Sequence, residues 1–138
     1  HQSYTYKILT GRSLERLREK DGTSGFPNIE ESSFDHYATG HSSTSISAAY
    51  GFAYARDLKN EDFEVISFIG DASLVNGVAL EGLNLSGRSN HKMIIILNDN
   101  DMAISKPVGT IAKQLENNTS SKLFTSIIKP FIKIHILL

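Results

Sequence analysis

The 138-residue chain contains no cysteine, which excludes a disulfide framework, a thiolate zinc site and a cysteine nucleophile together. No apolar run approaches 18 residues, so the sequence predicts no spanning helix. Neither charge dominates: 14 Lys and Arg face 15 Asp and Glu, for a net charge of −1. A field strong enough to draw the chain to nucleic acid or anionic lipid is therefore absent, and no partner of either kind is expected. No signal peptide opens the chain, so the expected setting is cytoplasmic. An initiator methionine is missing too, since the first residue is His1; the expectation is a piece of a longer polypeptide.

What is present fits one compact domain. Apolar residues make up 40%, an ordinary share for a globular protein. The first ten residues are polar and aromatic without a clear period. Arg12–Lys20 (RSLERLREK) reads as a short charged helix with Leu14 and Leu17 on one face, stopped by Asp21-Gly22. Gly22–Thr39 reads as an ordered loop, of a length that is usually functional or disordered. From His41 a run of small hydroxyl residues leads into Ala48–Leu58, and its serines and threonines are N-cap candidates. The small residues Ala48, Ala49, Gly51, Ala53 and Ala55 predict a helix lying close to a neighbouring backbone. Phe63–Ile69 reads as a buried strand, Asn76–Arg88 as a second helix, and Met93–Leu97 as a continuous apolar strand of the parallel-sheet kind. Helix–strand–helix–strand is a βαβ pattern, so the fold class is α/β, a parallel sheet with helices on both faces. A helix starting at Val108–Leu115 and a separate apolar tail at 128–138, after a domain at 1–127, complete the reading.

Two strand ends carry the chemistry. Asp71 follows the first strand and Asn100 the second, 29 residues apart. In a parallel unit both carboxyl ends lie on one sheet edge, where open α/β folds bind ligands. A carboxylate and a carboxamide oxygen there are hard ligands suited to Mg²⁺, which is usually shared with substrate phosphates. Asp and Asn are also ordinary turn residues at strand ends, and the spacing alone leaves both readings open.

The wider pattern resembles the transketolase-like enzymes that use thiamine diphosphate, and more narrowly the 1-deoxy-D-xylulose-5-phosphate synthase family. The matching stretches are HQSYTYKILTGR (1–12), SGFPNIEESSFD (24–35), GHSSTSISAAYGFAYARDL (40–58), IGDASLVNGVALEGLN (69–84) and ILNDNDMAISKPVG (96–109). The resemblance implies a partial thiamine-diphosphate-binding fold, with thiamine diphosphate and Mg²⁺ as cofactors. It implies pyruvate and glyceraldehyde 3-phosphate as substrates, a further pyrimidine-binding domain in the parent polypeptide, and a homodimer when complete. Asp71, the side-chain oxygen of Asn100 and the carbonyl of Met102 would hold Mg²⁺. Ala72 and Ser73 would line the diphosphate through their backbones. His1 matches the family's histidine beside the reactive ring, and Gly40, His41 and Ser42 match a second cofactor-binding loop. The setting would be cytoplasmic, or the plastid stroma in a plant or alga.

The chain departs from the family's GDG pattern with Gly70-Asp71-Ala72-Ser73, and Val75-Asn76 stands where a Thr-Gly or Thr-Ala pair is usual. An Ala72 at positive φ would cost on the order of 1 kcal/mol; at negative φ the change is nearly silent. His36, His91 and His135 read as solvated or structural. Lys7 and Arg12 are placed to meet a phosphate or to serve as ordinary surface charges. Tyr4 and Tyr6 either stack in the site or pack, and Glu81 reads as a solvated or interface carboxylate. The alternatives to a synthase piece are a half-subunit of another thiamine-diphosphate enzyme and a degenerate, non-catalytic fragment.

Overall fold

The computed structural model describes residues 2–98 and 108–110, in two compact units that divide between Ser42 and Ser43. The 128–138 tail and most of the helix expected over Val108–Leu115 lie outside the described residues.

The first unit opens with a helix that the residue pattern does not announce, α1 (Gln2–Leu9). Among its described side chains only Lys7 is buried, so no apolar stripe marks it. Its stop signal is chemical. Gly11 adopts φ +81; its N–H donates to Ile8 O and the Arg12 N–H to Lys7 O. This paired closure of the last turn needs a left-handed residue, and glycine takes that conformation without a Cβ penalty. The helix expected over Arg12–Lys20 does not form. Leu14 and Leu17 are only half-buried and the segment is a series of turns, with Arg18 and Asp21 both at positive φ. Nine residues with two leucines bury too little to offset the cost of starting a helix.

Gly22–Thr39 is a loop, as expected, and charge rather than apolar burial orders it. Lys7 Nζ lies 2.6 Å from Glu31 Oε1. Arg12 grips Asp35 with two bonds, at 2.7 and 2.9 Å, and reaches Glu31 at 3.2 Å. The Ser24 N–H donates to Glu31 Oε2 at 2.8 Å and the Asn28 N–H to Asp35 Oδ2 at 2.9 Å. Two cations thus meet two carboxylates, and loop amides fill the remaining acceptor sites, the condition under which buried charge is tolerated. Burial pushes the Glu31 carboxyl up, but the bonds from Lys7 and Ser24 outweigh it and hold the group at about 2. The Arg12 bonds hold Asp35 below the usual carboxylate range against its burial.

The second unit carries the α/β element order: α2 (Ser45–Leu58), β1 (Ile66–Gly70), α3 (Asp71–Leu74), α4 (Gly77–Ser86) and β2 (Ile94–Asn98). The strands are parallel, with Ile66 opposite Ile94 and Gly70 opposite Asn98. Strand alternation sends Ser67 and Ile69 inward, and Ile95 and Leu97 inward from β2. Ile69, Ile95 and Leu97 join Ile46, Ala49 and Ala53 of α2, Leu74 of α3 and Ala79 of α4 in one core, with Ser67 buried beside them. All three helices therefore contribute to the cluster on this one sheet face. Among the described residues the alternate β1 side chains, Ile66 and Phe68, are exposed.

The close helix approach predicted from the small residues is present between α2 and α4. A Cβ on Gly82 would lie 2.6 Å from Ser47 Oγ, 3.0 Å from Ser47 N and 3.3 Å from Ile46 Cγ2. Gly51, by contrast, faces open space. At the far end of α2, Asn60 at φ 55 closes the helix, with Glu61 N–H on Arg56 O. Arg56, buried, donates to Phe63 O at 3.0 Å and to Asp57 at 2.7 Å.

Two outcomes follow. Gly82→Ala costs about 1–3 kcal/mol because a backbone atom cannot yield as a side chain can, whereas Gly51→Ala stabilises by about 0.5–1 kcal/mol; urea denaturation of the pair reads opposite signs. Because the folded Glu31 lies near 2 against an ordinary 4.5, its contribution is complete above about pH 4.5 and is lost as pH falls toward 2. Amide protection at Ser24, whose N–H donates to Glu31, should fall over that window, and should fall already at neutral pH in Glu31→Gln.

Candidate functional site

Parallel pairing delivers the carboxyl ends of β1 and β2 to one edge, since Gly70 and Asn98, the last residues of the two strands, are partners in register. Asp71 follows at once as the first residue of α3. Its side chain is half-buried and makes no hydrogen bond or ion pair among the described residues. A carboxylate at a sheet edge with no partner suits one oxygen position around a hard cation. The other two expected ligands, Asn100 and Met102, lie outside the described residues, as does His1. Within the described residues no set of three His, Cys, Asp or Glu side chains converges as a metal site.

Ala72 and Ser73 form the middle of α3. Ala72 is not among the residues at positive φ, so the alanine that departs from the family pattern introduces no backbone strain. Leu74 turns into the core, which anchors the turn and leaves Asp71, Ala72 and Ser73 half-buried at the rim.

The hydroxyl run before α2 does not serve as the cap it resembles. Thr44 is the N-cap and makes no side-chain cap bond. The serines instead bridge to other elements: Ser67 of β1 donates to Ser45 at 3.1 Å, and Ser47 reaches Val78 O at 3.4 Å. Ser43 is buried and sits at φ 69, and Asn76 Nδ2 donates to its Oγ at 2.7 Å. The same amide nitrogen faces the carbonyls of Ala72 at 3.5 Å and Ser73 at 3.4 Å. The role of Asn76 escapes sequence reasoning, which registers it only as a departure.

Gly40, His41 and Ser42 belong to the first unit. Gly40 lies beside the Phe26 ring, and the His41 N–H donates to Thr39 Oγ1 at 3.1 Å. Lys7 and Arg12 are engaged by Glu31 and Asp35. Tyr6 donates its hydroxyl to Phe34 O, while the Tyr4 hydroxyl accepts from Arg18, so both tyrosines have structural partners. His36 and Glu81 are exposed. His91 has a structural role: its Nδ1 lies 2.7 Å from Asp57 Oδ2, with its ring edge-on to Tyr50 and Tyr54. That bond, with a second from Arg56, holds the Asp57 carboxyl below its ordinary value. The pair joins the end of α2 to the approach of β2, the opposite end of that strand from Asn98.

A family model described as 1-deoxy-D-xylulose-5-phosphate synthase matches residues 1–135, extending past residue 127. The chain is 58% identical over 117 residues to the 1-deoxy-D-xylulose-5-phosphate synthase of Clostridium beijerinckii, covering 83% of this chain and 19% of that protein. It is 53% identical over 133 residues to that of Clostridium botulinum, covering 92% and 22%. Against the Oleidesulfovibrio alaskensis enzyme it is 52% identical over 124 residues, covering 88% and 19%. The chain thus spans about a fifth of the length of these curated relatives. It belongs to the 1-deoxy-D-xylulose-5-phosphate synthase family.

Proposed function

We propose that this chain is the diphosphate-binding part of a 1-deoxy-D-xylulose-5-phosphate synthase, which joins pyruvate and glyceraldehyde 3-phosphate into 1-deoxy-D-xylulose 5-phosphate with release of CO₂. The observation that carries the proposal is the half-buried Asp71, without a partner among the described residues, at the carboxyl edge of a parallel strand pair. Asp71, the Asn100 side chain and the Met102 carbonyl would hold Mg²⁺ against the diphosphate. The Ala72 and Ser73 backbones would line it, His1 would sit beside the reactive ring, and Gly40, His41 and Ser42 would form a second binding loop. When bound, thiamine diphosphate supplies the carbon–carbon chemistry; the protein supplies position, electrostatics and exclusion of water.

The work assigned to these residues is binding and orientation. An Asp71 carboxylate held at a fixed strand end offers the cation a preplaced negative oxygen, and α3, pinned by Leu74, keeps the neighbouring backbone at a set distance. A pyrimidine-binding domain with an activating glutamate would come from the rest of the parent polypeptide, in a homodimer working in the cytoplasm or plastid stroma. The product would enter the non-mevalonate route to isoprenoid precursors.

The test is calorimetric titration of the full-length parent with thiamine diphosphate and Mg²⁺. The proposal expects Mg²⁺-dependent binding that Asp71→Ala weakens by about 100-fold, in the range by which a metal site responds to loss of a supporting group. Equal binding by the variant overturns the assignment. The isolated 138-residue chain should release no CO₂ from pyruvate above background; turnover by the chain alone would contradict the division of labour.

A further inference from the structure

We infer that Asn76 is a positioning residue that locks the entry to α2, at Ser43, to the turn after β1; its effect on cofactor binding rests on the proposed function. Ser43 is buried in the left-handed region, a conformation that costs a side-chain-bearing residue on the order of 1 kcal/mol and persists only where neighbours enforce it. The neighbour is Asn76, whose Nδ2 donates to Ser43 Oγ at 2.7 Å. As the N-cap of α4, Asn76 makes no side-chain bond to its own helix; its Nδ2 donates across the fold instead. Its nitrogen also faces the carbonyls of Ala72 and Ser73, the backbone that would line the diphosphate. One carboxamide thus ties together three pieces of chain: the residue that follows Ser42 in sequence, the rim turn α3, and the start of α4.

Geometry limits what could replace it. Alanine or glycine at 76 has no donor, so Ser43 Oγ, buried, would lose its partner. Aspartate keeps the shape and can accept from the Ser43 hydroxyl, but it has no amide hydrogens for the two carbonyls and places a negative charge against their oxygens. Toward the rim turn the role therefore belongs to the amide rather than to polarity in general.

The experiment is a double-substitution cycle on the full-length parent with Asn76→Ala, Ser43→Ala and the pair. Amide exchange at Ala48, which donates to Thr44 O, and at Leu80, which donates to Asn76 O, is followed without cofactor; thiamine diphosphate and Mg²⁺ binding is followed by calorimetry. The inference expects each single variant to speed Ala48 exchange by about tenfold and to weaken cofactor binding several-fold, with the pair no worse than either alone. Asn76→Asp, whose charge faces the Ala72 and Ser73 carbonyls, should weaken cofactor binding as Asn76→Ala does. Additive effects in the cycle, or an unchanged Ala48, would overturn the tie. Altered exchange with unchanged cofactor affinity would reduce Asn76 to a structural residue and overturn its positioning role. A wild-type protein that binds no thiamine diphosphate would strike down the functional reading instead, and the exchange cycle would still decide the tie.

Discussion

The described part of the second unit depends on one pairing: two five-residue strands, parallel, with Gly70 opposite Asn98. Antiparallel pairing would send the two carboxyl ends to opposite edges. Parallel pairing requires the long connection that α3 and α4 supply, and that connection begins with the residues proposed to meet the cofactor, Asp71, Ala72 and Ser73. The requirement of topology and the requirement of a ligand rim fall on the same stretch of chain. Small residues make it fit, because Gly82 lets α4 approach the Ser47 backbone of α2.

Polar bonds then fix what the apolar core leaves loose. Three serines of one run each reach a different partner, Asn76, Ser67 and Val78, so the start of α2 is bonded to β1 and to α4. The other end of α2 is secured by Arg56, Asp57 and His91. In the first unit the same task falls to Lys7, Arg12, Glu31 and Asp35. A short helix and a long loop with little apolar burial are ordered there by charge.

Legibility in the sequence followed the physical origin of each element. The strands and the helices at Ser45–Leu58 and Gly77–Ser86 were readable because apolar and small residues recur with the right periods. The α1 helix was not, because its buried face is a lysine and its end is marked only by Thr10-Gly11. Arg12–Lys20 misled in the other direction, since its charges and leucines suit a helix that has nothing to pack on. Asp71 was legible as a strand-end carboxylate. The tie made by Asn76 was not, and His91 was legible as solvated or structural without its partner, because a hydrogen bond spanning 33 or 34 residues leaves no local trace. The negative φ of Ala72 needed coordinates, and it settles that this departure from the family pattern leaves the backbone unstrained.

The most direct measurement of the central claim replaces Mg²⁺ with paramagnetic Mn²⁺ in the full-length parent with thiamine diphosphate, and records which amide resonances broaden. The account predicts strong broadening at Asp71, Ala72 and Asn98, with Val65 and His91 at the far end of the strands spared. Broadening centred on Glu31, Asp35 or Asp57, or none at the Asp71 rim, would contradict it.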